Sequence, residues 1–234
     1  NCDLNGSISL ASSNVALTGE GVFNYSGYAV AGVGDVNDDG YDDIMTGAYL
    51  SDPGNANNAG SAYLVFGGPS MGGSLASADG RFDGEEAQDR AGFAVGPAGD
   101  VNDDGYDDIL VGALYHDLGS SATSNAGAAY LLLGPVSGNE SLDQISDTKL
   151  EGESKDDLFG TTVNSAGDVD GDDFGDFIVG APGYSSSNTA TGPGRVYVFY
   201  GSSSPSASIS ASSADAILEG VSKDDRAGIS IAGL

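Results

Sequence analysis

Several residue types that usually steer a first reading are scarce. The 234 residues include one cysteine (Cys2), one histidine, two methionines, no tryptophan and only seven lysines and arginines. A single cysteine excludes a disulfide within the chain, and Cys2 reads as a free thiol. Against the seven basic residues stand 35 acidic ones, a formal net charge of -28. Binding to phosphate backbones needs a basic surface, so nucleic acid is excluded as a partner. Docking on an anionic membrane is excluded on the same ground. No apolar run approaches the ~20 residues of a membrane-spanning helix, so membrane insertion is not expected. No Cys/His cluster exists, which excludes a conventional zinc site. No stretch of helix length carries a 3.6-residue apolar period. No nucleophile elbow, phosphate loop or Ser/His/Asp order is discernible.

Glycine is abundant instead, at 38 residues. It follows no three-residue period, so a collagen helix is excluded. The apolar residues, 39% of the chain, cluster in short β-prone runs, which argues against disorder.

Internal repetition fixes the architecture. Three segments align: GDVNDDGYDDIMTGA from Gly34, GDVNDDGYDDILVGA from Gly99 and GDVDGDDFGDFIVGA from Gly167. A second element follows in phase as SAYLVFGG from Ser61, AAYLLLGP from Ala128 and RVYVFYGS from Arg195. A third occurs four times, ending at Gly27, Gly92, Gly160 and Gly228, each with Asn24, Asp89, Asp157 or Asp225 three residues earlier. The runs at 28–33 and 93–98 predict first strands. Those at 43–48, 108–113 and 176–181 predict second strands buried on both faces. Aromatic and β-branched runs at 62–66, 129–133 and 196–200 predict third strands, and a weaker fourth leads into each Leu/Phe-x-Gly.

The fold class is therefore all-β, with four-stranded antiparallel sheets repeated as β-propeller blades. About three and a half repeats are present: a partial one at 1–27, then 28–92, 93–160 and 161–228, with 229–234 opening the next. The segment 8–17 reads as a fourth strand and 229–234 as the start of a first strand. A ring of the usual size needs more blades. The rest of a larger propeller, or another copy, is expected to complete it.

Each acidic loop places oxygen-bearing side chains in one register. In the first, Asp35, Asn37, Asp39 and Asp43 take positions 1, 3, 5 and 9, and Tyr41 offers its carbonyl at position 7. The second repeats this with Asp100, Asn102, Asp104, Tyr106 and Asp108, and the third with Asp168, Asp170, Asp172, Phe174 and Asp176. Alternating positions converge when a chain wraps around one ion, and an all-oxygen set of this size favours Ca²⁺. Three calcium sites are expected. Each nine-residue loop carries five aspartates, a self-repelling density unless a cation neutralises it. An EF-hand is excluded, because position 12 is Thr46, Val111 or Val179, inside a predicted strand, where that motif needs Glu. The third loop departs at position 6, where Asp173 replaces the turn glycine. Asp tolerates a left-handed backbone better than most residues, so this site is expected to survive in weaker form.

These residues resemble the FG-GAP repeat of the integrin α-subunit β-propeller and its bacterial and archaeal relatives. Phe159-Gly160 carries the first element, and Ser26-Gly27, Ala91-Gly92 and Ala227-Gly228 are relaxed versions of it. Gly180-Ala181-Pro182 carries the second, with Gly47-Ala48 and Gly112-Ala113 in the sister repeats. The resemblance implies a calcium-binding propeller and an extracellular, secreted or cell-surface setting. It further implies adhesion or binding of a protein or glycan ligand, without catalysis. Two other readings stay open: an accessory or catalytic propeller of a secreted polysaccharide- or lipid-active enzyme, and a structural array joined through incomplete blades. His116 reads as a surface-loop histidine. Asn24, Asp89, Asp157 and Asp225 read as turn formers, and Tyr63, Tyr130 and Tyr197 as packing residues.

Overall fold

The computed structural model describes residues 15–69, 71–119, 124–185 and 192–233. Three antiparallel meanders follow one another. The first holds β2 (Val30–Gly34), β3 (Asp43–Ala48), β4 (Ser61–Val65) and β6 (Gly80–Asp83). The second holds β7 (Ala91–Gly99), β8 (Asp108–Ala113), β9 (Ala128–Leu132) and β11 (Thr148–Glu151), and the third β12 (Thr162–Gly167), β13 (Asp176–Ala181), β14 (Arg195–Phe199) and β16 (Ala216–Glu219). These are the propeller blades that the repeats predict. The second strands have the predicted bounds. The third strands begin one residue earlier than predicted.

The sheets carry one feature without a local sequence signal. A short strand from each repeat crosses to the preceding blade and pairs in parallel with its fourth strand. Thus β10 (Gly138–Ser141) joins β6, and β15 (Ser208–Ser210) joins β11. Near the N-terminus β5 (Gly73–Ser74) joins β1 (Leu17–Thr18) in the same way. A single buried residue anchors the turn after each crossing strand: Leu75, Leu142 or Ala211. The second of these turns is the one-turn helix α1 (Leu142–Ile145). Among the described residues no helix is long and apolar enough to cross a membrane.

The core lies in the seams between blades. Val33, Met45, Leu64 and Phe82 of the first blade pack with Val95, Ile109, Val111 and Tyr130 of the second. Leu110, Leu131 and Leu150 pack with Val163, Phe177, Val179 and Tyr197 of the third. The innermost strands β2, β7 and β12 lie side by side.

The repeated glycines set the seam spacing. A Cβ on Gly47 would collide with the Gly92 carbonyl oxygen, and likewise Gly112 with Gly160 and Gly180 with Gly228. Each second strand therefore presses its glycine onto the backbone of the glycine that closes the Phe-Gly-type element of the next repeat.

One expectation is not met. Residues 229–233 form no strand. A first strand is held by the ladder to its own second strand, and none of the described strands pairs with these residues. Of the predicted fourth strand at 8–17, residues 8–14 lie outside the described residues, and Leu17 contributes to β1.

Candidate metal centre

The three acidic loops join β2 to β3, β7 to β8 and β12 to β13, so they share one end of the blades. Each is closed by a β-bulge that sets the residue before position 1 opposite position 9: Gly34 against Asp43, Gly99 against Asp108 and Gly167 against Asp176.

Position 1 organises the turn. Asp35 Oδ1 and Oδ2 accept the N–H groups of Asp39 and Gly40 at 3.0 and 2.8 Å. Asp100 accepts those of Asp104 and Gly105 at 3.1 and 2.9 Å. Asp168 accepts from Gly171, Asp172 and Asp173 at 2.7, 3.1 and 3.1 Å. At position 5, Asp39, Asp104 and Asp172 accept the position-7 N–H of Tyr41, Tyr106 and Phe174. At position 3, the Asn37 and Asn102 amides donate to Asp39 and Asp104 at 3.2 and 2.9 Å.

Position 9 is a different kind of residue. Asp43, Asp108 and Asp176 are fully buried. Each uses one oxygen for the N–H of the position-2 valine and the other for the glycine after the third strand. For Asp108 these donors are Val101 at 2.7 Å and Gly134 at 2.8 Å. Asp43 takes Val36 and Gly67, and Asp176 takes Val169 and Gly201. Burial nevertheless pushes the Asp108 carboxyl up to about 7, against the lowering effect of its two N–H bonds, and also raises Asp43. Both stand close to the other loop carboxylates, which push the same way. A cation beside them would reverse that balance.

The third loop brings carboxylates together most tightly. Oxygens of Asp168, Asp170 and Asp176 all lie within 4.8 Å of one another, the one such group of acidic, His or Cys side chains among the described residues. Desolvation, then the neighbouring Asp172, raises Asp170. Backbone N–H bonds, that of Gly171 first, lower Asp168. In the first two loops position 3 is Asn, so the candidate donors there include an amide oxygen. The donor set is all oxygen throughout, which fits a hard divalent cation.

The Asp173 substitution is compensated locally. Positions 4 and 6 both have left-handed backbone in every loop: Asp38 and Gly40 at φ 56° and 87°, Asp103 and Gly105 at 56° and 93°, Gly171 and Asp173 at 84° and 76°. Each loop thus needs one Asp and one Gly at these two positions, and the third exchanges their order.

At the opposite end of the blades, Asp89, Asp157 and Asp225 act as the predicted turn formers. Each accepts the N–H three residues earlier, from Glu86, Ser154 and Ser222 at 3.0, 2.7 and 2.7 Å. His116 corrects its expected exposure. It is buried, with Nδ1 3.0 Å from Asp89 Oδ2. Ser51 and Tyr184 occupy its place in the sister repeats, so no repeated pattern signalled the pair.

Comparison with known proteins agrees with this geometry. The FG-GAP repeat model matches residues 26–65, 91–132 and 159–199, together more than half of the chain. Integrin alpha-8 of Gallus gallus is 34% identical over 182 residues, covering 71% of this chain. Integrin alpha-IIb of Mus musculus is 34% identical over 174 residues, covering 72%, and integrin alpha-V of Gallus gallus 32% over 180 residues, covering 74%. The chain spans only 16% of the length of each of these relatives. Three matched repeats, each folded as an antiparallel blade with an acidic loop between its first two strands, make this chain a member of the FG-GAP repeat family.

Proposed function

We propose that the chain is a calcium-stabilised, non-catalytic β-propeller segment of an extracellular or cell-surface protein, serving adhesion or the binding of a protein or glycan ligand. Three Ca²⁺ ions are held at Asp35/Asn37/Asp39/Tyr41/Asp43, Asp100/Asn102/Asp104/Tyr106/Asp108 and Asp168/Asp170/Asp172/Phe174/Asp176, with position 7 contributing its carbonyl. The observation that carries the reading is the convergence of Asp168, Asp170 and Asp176 within 4.8 Å, in a loop register that the other two repeats share. Similarity to integrin α subunits supports the adhesive role and the setting.

The ligand face is the end opposite the acidic loops, where the β2-β3-type loops are absent and longer connections gather. A cleft of about 520 Å³ opens there, lined by Phe93, Tyr115, Leu158, Asn125, Asp156 and Arg226 among others. Beside it Tyr25, Tyr28, Tyr49 and Phe93 form a chain of ring contacts with centroids 4.5 to 5.8 Å apart.

Thermal unfolding in calcium and in chelator tests the reading. At ten times Kd each occupied site adds about 1.4 kcal/mol by mass action. For a chain of this size a gain of 1 kcal/mol raises Tm by about 2–4 °C. Three sites therefore predict a rise of many degrees, and an unchanged midpoint contradicts it.

A further inference from the structure

Neighbouring acidic loops touch across the blade boundary. The Asp35 N–H donates to Asp107 Oδ2 at 2.9 Å. The Asp107 N–H donates back to the Asp35 carbonyl at 3.4 Å. Asp107, at position 8 of the second loop, thus holds both sides of position 1 of the first. The fit is close, since a Cβ on Gly34 would collide with the Asp107 carboxylate. The next boundary keeps only half of this arrangement. Gly175, at position 8 of the third loop, donates its N–H to the Asp100 carbonyl at 2.7 Å but has no side chain to reach the Asp100 N–H. Asp42, at position 8 of the first loop, is exposed.

We propose that Asp107 is a positioning residue for the cation of the first loop and makes its binding depend on the second loop. The inference rests on the calcium reading above. Asp107 lies between Tyr106 and Asp108, two candidate ligands of the second loop. An ion there fixes the backbone on both sides of Asp107 and so fixes the aim of its carboxylate. That carboxylate orients Asp35 through its N–H and adds a negative charge beside the first site. Both effects strengthen cation binding by the first loop. The boundary between the second and third blades holds the second loop by main-chain bonds alone, from Gly175 to the Asp100 carbonyl and from Ser202 to the Val101 carbonyl at 2.8 Å, with no carboxylate on the Asp100 N–H, so coupling there is weaker.

Terbium titration read by tyrosine-sensitised luminescence separates the loops. Position 7 is Tyr41 in the first, Tyr106 in the second and Phe174 in the third. In a Tyr106→Phe background the Tyr41 signal reports the first loop. There Asp107→Ala is expected to weaken terbium binding about five- to tenfold, as loss of a charge-assisted contact does. Asp107→Asn, which keeps an acceptor and loses the charge, recovers part of the loss. Asp42→Ala removes the same charge from the first loop without the contact and shifts binding less than about twofold. Asp104→Ala, which disables the second loop, weakens the first loop with Asp107 in place and adds little to Asp107→Ala. A first-loop titration unmoved by Asp107→Ala, or moved equally by Asp42→Ala, overturns the proposal. Absence of terbium and calcium binding in the unsubstituted chain overturns the calcium reading instead.

Discussion

The Tyr197 hydroxyl donates to Glu153 Oε1 at 2.7 Å, and Arg195 Nη1 reaches the same oxygen at 2.9 Å. Glu153 belongs to the linker that precedes the third blade, so the trio ties that linker into the seam. The same arrangement recurs one seam earlier in another guise, with Lys149 Nζ 2.9 Å from Glu85 beside the buried Tyr130. At the first blade the Tyr63 hydroxyl donates to Glu20 at 2.7 Å, with Arg81 3.1 Å from that carboxylate. Three of the chain's seven basic residues are thus committed to glutamates at seams. In so acidic a molecule, these cations lie where a carboxylate is partly withdrawn from water.

Truncating the trio piece by piece has graded effects. Tyr197→Phe removes one hydrogen bond and leaves Glu153 with Arg195, a loss of about 1 kcal/mol. Glu153→Leu leaves the Tyr197 hydroxyl and one side of the guanidinium without their acceptor, and the loss rises to about 2–3 kcal/mol. Urea unfolding of the two variants in calcium measures the difference. Equal midpoints for Glu153→Leu and the parent would show that the trio contributes nothing.

Position 9 and position 5 of an acidic loop separate architecture from ion binding. Asp108 is buried and satisfies two backbone N–H groups. In chelator, Asp108→Asn confronts one of those donors with an amide N–H and costs about 2 kcal/mol. Asp104 is exposed, so Asp104→Ala changes chelator stability by less than about 1 kcal/mol. Both variants lose the second loop's share of the calcium-dependent rise in Tm. Scans of each with calcium and with chelator read the two effects independently. A chelator-state loss as large for Asp104→Ala as for Asp108→Asn refutes the distinction.

What the sequence discloses is what repeats. The acidic loops and second strands were legible because three copies hold Asp and apolar residues in one register. The compensation at Asp173 was half legible, from the glycine two residues earlier. Contacts between distant, non-repeating partners left no such trace. Asp89 and His116 are 27 residues apart, and the place of His116 is taken by Ser51 and Tyr184 in the other repeats. Tyr197 and Glu153 are 44 apart. The crossing strands β5, β10 and β15 are short and mostly exposed, so neither periodicity nor composition marks them. Burial of the position-9 aspartates was hidden for a related reason. Asp is a surface residue by default, and only the fold supplies the two N–H donors that let it be buried.

The seam glycines give a steric prediction. Gly112→Ala puts a methyl group onto the Gly160 carbonyl oxygen, and main chain cannot swing aside as a long side chain would. The second and third blades must separate locally, at a loss of about 1–3 kcal/mol or more. Gly105→Ala tests a different mechanism, since a Cβ there meets nothing within 4 Å and only its φ of 93° resists. Its penalty is confined to the second loop and shows as weakened calcium stabilisation. Hydrogen exchange of β8 and β12 amides distinguishes the two, with faster exchange expected for Gly112→Ala alone.

Asp157 gives the chain a pH dependence of defined sign. Its Oδ2 accepts the Ser154 N–H at 2.7 Å, while Oδ1 is buried without a partner. Burial pushes this carboxyl up to about 7, far above the ~3.9 of an unfolded aspartate. Between those two values the folded chain holds a proton that the unfolded chain has released. The contribution of Asp157 to stability is therefore greatest below about pH 4, falls as pH rises towards 7, and is level above that. Asp157→Asn keeps an acceptor for Ser154 and removes the titration. Relative to the parent, this variant gains little at pH 4 and up to a few kcal/mol by pH 8, measured by urea unfolding in chelator. A pH profile for Asp157→Asn that runs parallel to that of the parent would exclude Asp157 as its source.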